Sequence, residues 1–158
     1  MNHQIIKPDS ENQVRTKGIS VFLAGSIDNG STEDWQSEME DFLKEHHITI
    51  YNPRREEWDP NLVQEEDNPI FNGQVNWELN HLEEVDIAFL YLVPGSIAPI
   101  SMFEFGLLAK SGRIIVCCPN GFWRKGNTNI ICTRYNIPLY KSLKEAKGGL
   151  LTKIAQIR

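Results

Sequence analysis

Short, predominantly apolar runs, each followed by a segment of helical spacing, leave this chain few ways to fold. Ile19 to Ala24 (ISVFLA) is such a run, closed by Gly25. Ile48 to Tyr51 stops at Asn52-Pro53, Ile87 to Val93 at Pro94-Gly95, and Arg113 to Cys118 at Pro119. Runs this short, with no polar residue at alternate positions, are what strands look like when both faces are covered. Pro138 to Tyr140 reads as a further short strand at an edge. Between the runs, Trp35, Met39, Phe42 and Leu43 recur at helical spacing behind a Ser-x-x-Asp capping box from Ser31 to Asp34. Val75, Leu79 and Leu82 form the apolar stripe expected of a helix from about Ile70 to Val85. Another helix is expected from about Ile100 to Ser111 with Gly112 as its C-cap, and a last one from Ser142 onward, weakened by Gly148-Gly149. Strand-helix alternation of this kind implies an α/β domain: a parallel sheet of about five strands with helices on both faces.

That domain is expected over residues 18–158, behind a loose polar lead-in at 1–17. In such sheets ligands sit outside the carboxyl ends of the strands, here the loops that begin at Gly25, Asn52, Pro94 and Pro119. The long polar loop after Asn52 carries Arg54, Arg55, Trp58 and Asp59, and a loop of that length in a small domain is more often functional than idle. The net charge of −5 and the absence of any basic run argue against a nucleic-acid polymer as partner. No stretch approaches a membrane span and the N-terminus has no signal-peptide pattern. Cys117, Cys118 and Cys132 have no metal-ligand spacing and read as buried thiols of a reducing compartment, so a cytoplasmic location is expected.

Glu104 is the leading candidate for chemistry. It stands in Ala98-Pro-Ile-Ser-Met-Phe-Glu-Phe-Gly106, flanked by Met102, Phe103, Phe105, Leu107 and Leu108, all of which favour burial. A carboxylate in a partly apolar pocket at the ligand edge can attack an anomeric carbon or stabilise an oxocarbenium ion. A carboxylate in the first turn of a helix also complements the helix dipole, and the residues alone leave the two readings equally open. Glu78 and His81 share a helix face at i, i+3, but no second ligand pair accompanies them, so the expectation is metal-free, with Glu78 as a second carboxylate for acid–base work. Asp86, at the start of a buried strand, lies at the wrong end of a parallel sheet for catalysis and reads as structural. Gly25-Ser26-Ile27-Asp28-Asn29-Gly30, between a strand and a helix start, suits a phosphate or a sugar hydroxyl, though it lacks both the P-loop and the dinucleotide fingerprint. Trp58 and Trp123 could stack on a base or pack as core or lid.

Taken together these segments resemble the nucleoside 2-deoxyribosyltransferase family, in its compact deoxyribosyltransferase-like branch. The pieces that match are Val21-Phe-Leu-Ala-Gly-Ser-Ile27, Asn52-Pro-Arg-Arg55 with Trp58, and Gln74-Val-Asn-Trp-Glu-Leu79. They continue through Val85-Asp86, Pro99-Ile-Ser-Met-Phe-Glu-Phe-Gly106 and Gly121-Phe-Trp-Arg-Lys-Gly-Asn127, so that the resemblance runs from Ile19 to about Tyr140.

The resemblance implies a flavodoxin-like sheet and a double displacement, with Glu104 as the nucleophile that forms a covalent deoxyribosyl ester. Glu78 would assist proton transfer to the leaving base, and Gly25 and Ser26 would match the sugar- or phosphate-side loop. Asn52, Arg54, Trp58 and Ser101 are the further substrate-binding candidates. Asn127 or Asn129 would match an Asn that reaches into a neighbouring subunit's site, which implies a homodimer or higher homo-oligomer. The implied ligands are a (deoxy)nucleoside or nucleotide and a free base, with no metal or organic cofactor. Two positions depart from the pattern: Ala98 stands six residues before Glu104, where relatives carry Asp or Ser, and Val21-Phe22 replaces a Tyr-bearing segment. Transferase, N-glycoside hydrolase and a nucleotide-binding sensor without turnover therefore all stay open.

Overall fold

The apolar runs pair as strands of a single parallel sheet in the computed structural model, which describes residues 3–28, 31–57 and 59–158. The strands are β1 (Gln4–Ile6), β2 (Ile19–Gly25), β3 (Ile48–Tyr51), β4 (Ile87–Tyr91), β5 (Ile114–Cys117) and β6 (Leu139–Tyr140). The helices are α1 (Trp35–Leu43), α2 (Pro69–Glu84), α3 (Pro99–Leu108), α4 (Lys125–Arg134) and α5 (Leu143–Ile157). Strand order is β1-β3-β2-β4-β5-β6, every pairing parallel. From β2 the chain winds outward to β3, then returns to build β4, β5 and β6 on the other side. This is the flavodoxin-like winding, and its switch point falls between the carboxyl ends of β2 and β4.

The sixth strand comes from the segment expected to be a loose lead-in. Gln4, Ile5 and Ile6 pair with Thr49, Ile50 and Tyr51, and Ile6 is fully buried. Two isoleucines in a polar context carry too little pattern to announce a strand. Arg15, in the same stretch, donates to the Asp86 carboxylate at 2.7 Å, and Asp86 also accepts from the Ser20 amide and hydroxyl. Asp86 thus ties the amino ends of β2 and β4 to the lead-in.

The two sheet faces build separate cores. Phe22, Ala24, Leu90 and Leu92 pack under Leu82 of α2, Phe105 and Leu108 of α3, and Cys132 of α4. On the other face Val21, Leu23, Ile87 and Phe89 pack under Trp35 and Met39 of α1 and Ala146, Leu150 and Ile154 of α5. Three local expectations need correction. Asp34, not Ser31, caps α1, its carboxylate accepting from the Ser37 amide. α2 buries only Leu82 fully, with Trp77 half-buried against Phe22 and Tyr51. Lys125–Arg134, expected as loop, is helical because Thr128 and Cys132 are pinned in the core despite the weak helix formers around them. Gly149 has a clear role in α5: a Cβ there would strike the Tyr140 ring.

Candidate active site

Glu104 is the sixth residue of α3, in its second turn, and the first turn holds no acidic residue. A dipole-capping role needs the first turn, so that reading falls. The start of α3 is capped from outside instead. Ala98 sits in the left-handed region at φ 46° and offers no side-chain cap. The Asp28 carboxylate accepts from the Ile97 and Ala98 amides, each at 3.1 Å, and so joins the loop after β2 to the entry of α3. Glu104 itself is 7% exposed, on the face of α3 that carries Ser101, Phe105 and Leu108. Phe103 and Leu107, expected to share that burial, point outward at 70% and 69% exposure.

The neighbour that matters is Glu78 of α2. The two carboxyl groups lie close enough for each to act on the other's ionisation. Burial, with the negative charge and hydrogen bond of Glu78, holds the Glu104 carboxyl well above the ordinary carboxylate range. Burial raises Glu78 too, but Gln74, Glu104 and the positive charge of Arg55 all oppose it. Two neighbouring carboxylates disfavour each other's ionised form, which favours a single proton held on the pair. The upward push is the stronger at Glu104, where nothing opposes it.

Behind Glu78 lies a chain of bonds that the sequence reading did not anticipate. Gln74, one helical turn earlier, donates from Nε2 to Glu78 Oε1 at 2.6 Å. Its Oε1 accepts from Arg55 Nε, also at 2.6 Å. The i, i+4 spacing of Gln74 and Glu78 was a readable signal; nothing in the sequence pointed to Arg55 as its partner. Arg55 also lines a polar cleft of about 270 Å³ with Lys7, Asp34, Ser37, Asn52, Arg54 and Glu56. Glu104 lines neither this cleft nor the one formed by Asp28, Glu33, Tyr91 and Ser96.

The remaining candidates are placed as follows. Gly25 has φ 139°, and a Cβ on it would run into the Tyr91 carbonyl, so this position is dictated by the close approach of β2 and β4. Ser26 is fully buried; its hydroxyl meets Ser96 at 2.6 Å and accepts from the Val93 amide, bracing the switch point. Asn52 accepts from the Arg54 amide and donates to Glu40. Arg54 donates to the carbonyls of Thr32 and Glu33 and to Gln36 Oε1, clamping its loop onto the start of α1. Ser101 is buried one turn before Glu104. Asn127 is exposed on α4, whereas the Asn129 side-chain oxygen is enclosed with no hydrogen-bond partner among the described residues. Trp58, like Asn29 and Gly30 of the first loop, lies outside the described residues. Trp123 is exposed, with its indole N–H on the Ile97 carbonyl and Arg124 over its ring. Among the described residues no cluster of His, Cys, Asp and Glu is arranged to hold a metal, and no helix is long and apolar enough to cross a membrane.

A flavodoxin-like sheet with two neighbouring carboxyl groups on the helices of one face defines an α/β protein of a recognisable class. The chain belongs to the nucleoside 2-deoxyribosyltransferase-like family, whose model matches residues 18–122. That match takes in Arg55, Gln74, Glu78 and Glu104 and stops short of α4. Among solved structures the chain is similar to a conserved protein from Enterococcus faecalis V583, with a TM-score of 0.58. The two are 11% identical over 89% of this chain and 99% of that one, a likeness of fold alone. No curated protein matches the chain.

Proposed function

We propose that this protein cleaves the N-glycosidic bond of 2-deoxynucleosides, through a covalent glycosyl ester on Glu104, and passes the sugar to a free base or to water. The observation that carries this reading is the buried Glu104 carboxyl beside the half-buried Glu78, an arrangement that favours one shared proton. As substrate binds, the proton passes from Glu104 to Glu78. The Glu104 carboxylate then attacks C1′ while the C1′–N bond breaks; its electron pair leaves on the base nitrogen, which takes the proton from Glu78. In the second half an acceptor base or water attacks C1′, gives its proton to Glu78, and the ester oxygen leaves as the Glu104 carboxylate. No step calls for a metal or an organic cofactor. The three buried free thiols fit a cytoplasmic enzyme.

Several deoxynucleosides incubated with the protein, with and without a free acceptor base, test the class of reaction. Base release without acceptor marks a hydrolase and exchange marks a transferase. Binding with neither would overturn the proposal in favour of a sensor.

Assembly follows from the outer face of α3. Ile100, Phe103 and Leu107 recur there at helical spacing and are 56%, 70% and 69% exposed, and Ile130 of α4 is exposed at 70%. Such a stripe on a small domain is an association surface rather than a random scatter. The protein is at least a homodimer through α3 and α4, with Asn127 or Asn129 near the partner's pair. Sedimentation should show a dimer that Phe103→Asp with Leu107→Asp converts to monomer. A wild-type monomer at concentrations where the protein is fully active would refute it.

A further inference from the structure

Gln74 makes three polar contacts, and together they leave its amide one orientation. Its Oε1 accepts from Arg55 Nε at 2.6 Å, while Nε2 donates to Glu78 Oε1 at 2.6 Å and reaches the Pro53 carbonyl at 3.4 Å. Reversed, the amide would turn its carbonyl toward a carboxylate and its N–H₂ toward a guanidinium. Arg55 therefore decides that Glu78 meets a donor. With Oε1 engaged by an N–H, Glu78 is held as an acceptor.

We propose that Arg55, acting through Gln74, is a positioning residue that keeps Glu78 the proton acceptor of the carboxylate pair. This rests on the reading of Glu78 and Glu104 as the reacting pair, but the device can be observed without turnover. A Glu78 turned or protonated at rest could not take the proton from Glu104, and the nucleophile would stay neutral. The relay thus prepares both halves of the reaction at once: an ionisable Glu104 and an empty acid site on Glu78.

Few other groups are placed to do this. Glu104 faces Glu78 from α3 and Arg55 faces it from the loop after β3. On α2 itself, His81 lies one turn beyond Glu78, stacked on Tyr51 of β3 at 4.2 Å, its Nδ1 enclosed without a partner among the described residues. Burial lowers the His81 pKa and raises that of Tyr51, which favours the neutral form of each. β2 and β4 turn Phe22, Ala24, Ala88 and Leu90 to this face and supply no charge. Lys7 and Glu56 share the cleft with Arg55, 3.9 Å from each other. Arg55 is the cation whose bonds lead to the pair.

Carboxyl-carbon NMR of protein labelled with 13C-glutamate tests the relay directly. Glu78→Gln and Glu104→Gln assign the two resonances, and the titration is then repeated in Arg55→Met, Arg55→Lys and Gln74→Met. Loss of the donor raises the pH at which Glu78 takes up a proton, by about one unit or a tenfold gain in proton affinity, in both methionine variants. Arg55→Lys, which keeps the charge and loses the planar Nε donor, should fall between them and wild type. An unmoved Glu78 titration in folded Arg55→Met overturns the proposal. So does a shift in Arg55→Met with none in Gln74→Met, because the charge would then act across space and not through the amide. A protein that releases no base would sink the proposed reaction and leave this titration to stand or fall alone.

Discussion

Glu104→Gln should lose base release by a factor on the order of 10³ or more, and at the same time gain stability at mildly alkaline pH. The loss follows because an amide cannot attack C1′, so the route through a glycosyl ester closes. The gain follows from linkage. Burial first, and the Glu78 charge second, raise the folded-state pKa of Glu104. The native protein therefore holds a proton that the unfolded chain has released, in the window from the ordinary value of 4.5 upward to the raised one. Stability from this group is complete below that window and falls as pH rises through it. Glutamine, neutral at every pH, removes the fall. Denaturant unfolding of the two proteins at pH 4 and pH 8 reads it: the variant should match wild type at the lower pH and exceed it at the higher. Equal pH dependence, or activity within a few-fold of wild type, would sink the assignment.

Glu78→Gln should cost about 10²- to 10⁴-fold in kcat, the range for loss of general acid–base assistance, with a smaller change in KM. The loss should be graded. A base that leaves poorly without protonation should suffer most, and a substrate whose leaving group needs no proton should be nearly spared. The variant should also titrate differently. With the neighbouring charge gone, Glu104 loses one of the causes that raise it and ionises more readily, so the acidic limb of the variant's profile moves to lower pH. Kinetics across pH with a good and a poor leaving group separate these effects. Equal losses for both would assign Glu78 a structural part only.

Much of this was legible in the chain. Short apolar runs such as Ile19 to Ala24 and Ile87 to Val93, alternating with helical segments, read as strands covered on two sides, so the parallel sheet and its ligand edge were readable. β1 was not, since Ile5 and Ile6 gain their meaning from pairing with β3, far away in sequence. α4 was missed for the same reason: Asn127, Thr128 and Asn129 are poor helix formers, and core contacts at Thr128 and Cys132 override them. Sequence separated the faces of α3 least well. Phe103, Phe105, Leu107 and Leu108 look alike as letters, yet only Phe105 and Leu108 go inward with Glu104. The pairing of Glu104 with Glu78 came from resemblance and not from pattern, because no local rule brings two helices together at a chosen residue. Arg55 lay still further from reach, its part visible only once Gln74 stood between it and Glu78.

The central claim is a covalent bond from Glu104 to the sugar, and intact-protein mass spectrometry can see that bond. A 2-deoxy-2-fluoro-arabinosyl nucleoside slows the second half-reaction more than it slows the first, because the fluorine destabilises the oxocarbenium character on which release depends. Incubation should add the mass of one fluorosugar to the protein, with an equivalent of base released, and peptide mapping should place the added mass on Glu104. The Glu104→Gln protein should carry none. An adduct on a different residue, or steady base release by wild type with the protein mass unchanged and Glu104→Gln equally active, would contradict the account.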